Sequence, residues 1–217
     1  MDTSREKYAV LGGTFAPIHI GHLIISQSVI EKLSLDKCIF IPSGVPSQKE
    51  NTMFNSEERL VMVRLVTERD KRFEVNDIEI RSKETSYTYN TVQKMLGMHS
   101  NIDIFFIIGS DILYEFKTWY RYNRLLDLIN LVVVPRRDTF ILYQKFSRAI
   151  DKGRWRYDRD EGIIYLLENR KKVFCVRTPM IEISSTMIRE RIKNGLSINY
   201  LVPEVVLNYL SCKEVKP

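Results

Sequence analysis

Apolar residues in this chain fall into short solid runs alternating with longer stretches in which they recur at three- and four-residue intervals. Residues 8–12 (YAVLG) form a solid run closing on glycine, and from about Gly21 the stretch GHLIISQSVIEKL spaces its apolar positions for one helical face. The pair then repeats. Residues 38–42 (CIFIP) read as a buried strand, and 55–69 (NSEERLVMVRLVTER) as an amphipathic helix whose Asn55 and Glu58 have capping-box spacing. Residues 73–80 (FEVNDIEI) alternate partially and predict one strand or a strand with a bend. TYNTVQKML (88–96) is a third helix, IDIFFIIG (102–109) a central strand, and RLLDLI leads into the buried run LVVVP (131–135). Beyond Pro135 the regularity lapses. FILYQKFSRAI (140–150) and GIIYLLENRKK (162–172) are read as helical within an inserted segment packed on the sheet, KVFCV (172–176) as a sixth strand. One closing helix opens at Ser184-Ser185-Thr186 and stops at Gly195, and another runs from about Pro203 to Leu210.

Strands alternating with helices predict an α/β fold: a Rossmann-like open parallel sheet with helices on both faces. The expected organisation is a single domain over 1–217, with an insertion at about 136–172 and a small helical part at about 184–212. In such sheets ligands lie beyond the carboxyl ends of the strands. The loops at Gly12–His22, Pro42–Lys49, Gly109–Asp111, Arg136 and Pro179–Arg189 are therefore expected to converge on one cleft.

Composition changes this picture little. A length of 217 residues and 44% hydrophobic content suit one ordinary core. With no apolar stretch long enough to span a bilayer and no signal-like start, the chain is expected to be cytoplasmic, without a membrane partner. Cys38, Cys175 and Cys212 match no metal or disulfide spacing and read as small core residues. The net charge of +6 is uneven, because residues 136–172 carry 11 basic and 6 acidic side chains. Such a surface attracts phosphates. The interspersed acids of DRDE (158–161) point to a solvated helical face, and no stacking-aromatic motif accompanies the basic residues, so no nucleic-acid partner is expected.

The chemistry sits in GGTFAPIHIGHL (12–23). Gly12 and Gly13 permit a tight turn and close approach of a ligand to the peptide groups. The helix beginning near Gly21 offers amides and a positive dipole end to a phosphate. His19 and His22, three residues apart, can face one phosphoryl group and stabilise charge growing on its oxygens.

With these residues in view, the stretch resembles the first signature, HxGH, of the nucleotidyltransferase superfamily, which is related to class I tRNA synthetases. ISSTMIR (183–189) resembles its second signature, ISSTxIR. SYTYNT (86–91), IIGSD (107–111) and Trp119-Tyr120, in that order, make the chain most similar to the bacterial nicotinate mononucleotide adenylyltransferases, from about Tyr8 to Leu210.

The resemblance implies adenylyl transfer from ATP to nicotinate mononucleotide, giving nicotinate adenine dinucleotide and pyrophosphate. His19, His22, Lys49 and Arg189 are the implied catalytic set. ATP would be held by Gly12, Gly13, Thr14, Phe15, His19, Gly21, His22, Gly109, Asp111, Arg136, Ile183, Ser184, Ser185 and Thr186, with Asp111 on the ribose hydroxyls and the Ser-Ser-Thr helix start on the β- and γ-phosphates. Trp119 would stack on the pyridine ring. Thr88 and the amides of Tyr89 and Tyr120 would hold its carboxylate, with Thr14 and Lys49 adding contacts. Mg²⁺ is implied, carried mainly by the ATP phosphates and water.

The chain departs from the family pattern in three places: Ala16 replaces the acid of GGTFDP, Ser47-Gln48 replaces Pro-His, and Glu84 stands where glycine is usual. Two enzymatic alternatives, transfer to nicotinamide mononucleotide or to phosphopantetheine, share these motifs. The departures also admit a catalytically silent nucleotide-binding regulator.

Overall fold

The computed structural model describes residues 5–44, 53–82, 85–99, 101–136, 142–150 and 155–213. Eight strands and eight α-helices are formed among them, and most strand pairings are parallel. By backbone proximity the chain divides into two units: residues 1–11, 28–36 and 87–180 form one, and residues 12–27, 37–86 and 181–217 the other.

In the first unit the strands are ordered β1-β4-β5-β8-β7-β6. β1 (Glu6–Gly13, shared with the second unit at its end), β4 (Ile102–Gly109), β5 (Ile129–Val134) and β8 (Lys172–Cys175) run parallel. β5 is buried at every position, as expected of a parallel strand covered on both faces. α4 (Thr88–Met98), α5 (Tyr122–Leu128) and α6 (Leu142–Ala149) also belong to this unit, with Val92, Met95, Leu125 and Phe146 fully buried.

The inserted segment departs from expectation. Residues 162–172 are not helical: β6 (Trp155–Asp158) and β7 (Ile163–Leu166) form an antiparallel hairpin, and β7 pairs antiparallel with β8. The acids read as a helical face lie in its turn, where Asp158 Oδ1 accepts the N–H groups of Asp160 and Glu161 at 3.1 and 3.2 Å, and Gly162 takes φ +68°. A run such as IIYLL is ambiguous by periodicity, and the glycine turn and β-branched residues decide it. The hairpin thus extends the sheet instead of packing on it.

In the second unit β2 (Lys37–Pro42) pairs parallel with β3 (Phe73–Val75). α1 (Ile20–Leu33) begins here and continues into the first unit. α2 (Ser56–Thr67) carries the predicted capping box, with both reciprocal bonds formed. The predicted strand of residues 73–80 is cut short. Asn76 Oδ1 accepts the Ile78 N–H at 3.0 Å and turns the chain into the single helical turn α3 (Ile78–Arg81). α7 (Ser185–Lys193) and α8 (Glu204–Cys212) close the chain, with Gly195 at φ +64° just past the first.

The cysteines divide by position. Cys38 is buried, its thiol pushed up to about 12 chiefly by desolvation. Cys175 is partly buried and Cys212 lies exposed at the end of α8, so the core reading fails for the last. No described helix is long and apolar enough to cross a membrane.

Candidate functional site

The first and last motifs of the chain are knitted together in the second unit. Arg189, on the second turn of α7, donates from Nη1 to the Ala16 carbonyl at 2.9 Å and from Nη2 to Thr186 Oγ1 at 3.1 Å. Ser185 Oγ donates to the Pro17 carbonyl at 2.9 Å, and Ser184 caps α7 by accepting the Met187 N–H at 3.1 Å. The Ser185 hydroxyl proton is thus committed to backbone, whereas Ser184 Oγ serves as an acceptor and keeps its own O–H to donate. For an anion the helix start offers the Ser184 O–H, first-turn amides and its dipole.

Within the glycine loop two of the glycines have a steric reason. A Cβ on Gly13 would lie 3.3 Å from the Phe15 ring, and one on Gly21 would lie 3.1 Å from His19 ring atoms. Neither Gly12 nor Gly13 takes positive φ; the left-handed residue is Phe15, at φ 50°. Gly13 therefore acts by permitting the close approach of the Phe15 ring, while the turn falls two residues later. Phe15 is buried and meets His22 edge-on at 5.0 Å and Phe40 at 5.9 Å.

The two histidines form one unit. Their rings stack at 3.7 Å with 28° between planes, and the His19 backbone N–H donates to His22 Nδ1 at 3.2 Å. An Nδ1 that accepts leaves the proton on Nε2, so His22 presents a ring N–H donor. His19 is buried and His22 half-buried.

One participant escaped the motif reading. Arg59 of α2 is 1% exposed and donates to the carbonyls of Thr14, Ser43 and Gly44 at 2.8, 2.8 and 3.1 Å. Burial pushes its guanidinium pKa down. In the sequence it is a charge on an amphipathic helix. Its position beside Leu60 and about one turn ahead of Met62 and Val63, which prove buried, was the available signal.

In the first unit the loops after β4 and β5 are joined. Ser110 N–H donates to the Val134 carbonyl at 2.9 Å, Arg136 N–H donates to Ser110 Oγ at 3.1 Å, and Arg136 Nε pairs with Asp111 Oδ1 at 3.2 Å. A Cβ on Gly109 would lie 2.3 Å from Asp111 Oδ1, so only glycine leaves the carboxylate its place. Asp111 and Arg136 are both exposed. Asp111 precedes a 3-10 turn (Ile112–Tyr114) without capping it through its side chain.

The aromatic group lies in the same unit. Half-buried Trp119 packs on Phe116 at 5.0 Å and meets Phe106 edge-on at 6.1 Å. Tyr120 contacts Tyr87 at 4.7 Å and Tyr89 at 6.2 Å. Thr88 is the half-buried first residue of α4. Arg121, at φ 53°, holds its guanidinium over the rings of Tyr89 and Tyr120 at 5.4 and 5.0 Å, a cation among these residues that sequence reasoning also missed. Lys49, Gln48 and Glu84 lie outside the described residues.

Comparisons with known proteins agree with one another. The cytidylyltransferase-like family model matches residues 10–191. The chain is 36% identical to "Probable nicotinate-nucleotide adenylyltransferase" of Clostridium tetani, covering 94% of this chain and 96% of that one. It is 37% identical to the protein of the same name from Caldicellulosiruptor saccharolyticus, over 94% and 95%. Among solved structures, the Plasmodium falciparum nicotinic acid mononucleotide adenylyltransferase complexed with NaAD superimposes with TM-score 0.72 at 15% identity, over 96% of each chain, a likeness of fold. The chain belongs to the cytidylyltransferase-like family and, within it, to the nicotinate-nucleotide adenylyltransferases.

Proposed function

We propose that this chain transfers the adenylyl group of ATP to nicotinate mononucleotide, releasing pyrophosphate and forming nicotinate adenine dinucleotide, in the cytoplasm as a step of NAD biosynthesis. The observation that carries the reading is the joining of the HxGH loop to the start of α7, where Arg189 and Ser185 bond the carbonyls of Ala16 and Pro17. That junction gathers ring N–H donors, helix-start amides and a guanidinium, which is the equipment for a triphosphate.

The 5′-phosphate of the mononucleotide attacks the α-phosphorus of ATP. One P–O bond forms as the bond to the β-phosphate breaks, and pyrophosphate leaves. The attacking oxygen is already anionic, so no general base is required. The chain's work is to align the reactants and to stabilise charge on the α-phosphoryl oxygens, with His22 Nε2–H as a donor. Asp111 receives the adenosine ribose hydroxyls. Trp119, firm on Phe116, presents an aromatic surface to the pyridine ring, and Thr88 with the amides of Tyr89 and Tyr120 takes its carboxylate. The cation of Arg121 beside Tyr89 and Tyr120 favours an anionic substituent over the amide. Among the described residues no group of three His, Cys, Asp or Glu side chains is placed to hold a metal ion. The Mg²⁺ that the family resemblance implies would be carried by phosphate oxygens and water, where it would supply charge neutralisation.

The test is pyrophosphate release from ATP by purified protein, with nicotinate mononucleotide, nicotinamide mononucleotide or phosphopantetheine added. The reading expects release that depends on the nicotinate compound and a much lower kcat/KM with the amide. ATP binding without turnover would favour the silent regulator and sink the reading.

A further inference from the structure

We infer that Arg59 is a positioning residue: its buried guanidinium sets the peptide planes of the nucleotide loop, and through Phe15 the orientation of the His22 ring. The inference deepens the proposed function and rests on it for its kinetic test.

Arg59 binds two separate loops of the second unit with one planar group. Nη1 takes the Thr14 carbonyl at 2.8 Å, and Nη2 takes those of Ser43 at 2.8 Å and Gly44 at 3.1 Å. A further backbone bond, Ser43 N–H to the Gly13 carbonyl at 2.9 Å, ties the same loops. In a trans peptide the carbonyl and the following N–H point to opposite sides of the chain. Drawing the Thr14 and Ser43 carbonyls onto the guanidinium therefore turns the N–H groups of Phe15 and Gly44 away from it. Carbonyls gathered on an inner cation leave amides displayed on the opposite side, as an anion-binding loop needs.

The second link is mechanical. Thr14 is followed by Phe15, whose left-handed φ of 50° is costly for a residue with a side chain and persists only where its neighbours fix it. Phe15 is 2% exposed and its ring abuts the His22 imidazole at 5.0 Å. Releasing the Thr14 carbonyl thus loosens the residue against which His22 rests. Lysine cannot replace the fork. A single ammonium on a different stem cannot meet three carbonyls from two loops with the same geometry.

The test compares wild type, Arg59→Lys and Arg59→Met, with Arg64→Lys as a control. Arg64 lies on the same helix and pairs with Asp77 at 3.0 Å. Each protein is assayed well below its own Tm, varying ATP and the mononucleotide separately. The expected result is a folded Arg59→Lys protein whose kcat/KM for ATP falls by roughly tenfold or more, a larger fall for Arg59→Met, and wild-type kinetics for the control. A smaller change in Arg59→Lys overturns the inference, as does a loss equal to the unfolded fraction measured by circular dichroism, since a merely structural arginine lowers Tm without changing the folded enzyme. Should wild type show no turnover, the proposed function fails, and Arg59 is then judged on ATP binding by calorimetry. A tenfold weaker Kd in folded Arg59→Lys supports it, and an unchanged Kd overturns it.

Discussion

Ala16→Asp is the most informative single substitution, because it restores the residue usual in the GGTFDP pattern to a chain that has been built without it. Ala16 has no exposed surface, and its carbonyl holds Arg189 Nη1 at 2.9 Å. The added carboxylate must enter a filled space, which costs about 1–3 kcal/mol. Left unpaired there, the carboxylate would cost several kcal/mol more. Arg189, which already donates to the Ala16 carbonyl, is expected to take the carboxylate and reduce the second penalty. The net expectation is a loss of about 1–3 kcal/mol, or about 2–4 °C in Tm for each kcal/mol in a chain of this size. Because the guanidinium is then neutralised by a carboxylate rather than held by a carbonyl, KM for ATP is expected to rise several-fold. Ala16→Asn separates size from charge: it should lower Tm similarly and leave KM for ATP near wild type. The pair is read by differential scanning fluorimetry and the pyrophosphate assay. If Ala16→Asp changes neither Tm nor KM, or if Ala16→Asn raises KM as much as the acid does, the reasoning is refuted.

Three further outcomes follow from the geometry. His22→Ala should lower kcat by on the order of 10²–10³ while shifting Tm little, since His22 is half-buried; His19→Ala should lower both, because His19 is buried against His22 and the space beside Gly21. A fall of Tm without loss of turnover in His22→Ala would count against the donor role. Lys213 hydrogen-bonds Glu58 at 2.7 Å and, with the Asn55 N–H, holds its carboxyl below the ordinary range. Such a depressed group contributes stability that is present above its unfolded pKa and is lost as pH falls through the folded value. Lys213→Ala should therefore reduce the drop in Tm over the acid limb below about pH 5, and an unchanged acid limb would exclude the pair as its source.

The sequence by itself determined the parts whose signal is local. Solid apolar runs ending in glycine or proline fixed β1, β2, β4 and β5, and Asn55 with Glu58 fixed the start of α2, because strand burial and helix capping are decided within a few residues. Motif order also identified the family, since GGTF…HIGH and ISSTMIR keep their residue types and succession. Tertiary structure decided what depends on partners distant in the chain. Ile163–Leu166 became a strand because β8 offered an unpaired edge and Gly162 a turn, against an ambiguous apolar run. In the ISST segment the Ser185 hydroxyl proved to donate to the Pro17 carbonyl, while Ser184 Oγ accepts the Met187 N–H of its own helix. Arg59, one charge among several on α2, was drawn into the interior by three carbonyls, two of them from a loop that begins fifteen or sixteen residues earlier. Ala16, an unexplained gap in a polar motif when read along the chain, is in space the buried residue whose backbone carbonyl receives Arg189 from 173 residues away. A hydrogen-bond partner that far off leaves no periodicity in the sequence, and only the folded chain supplies it.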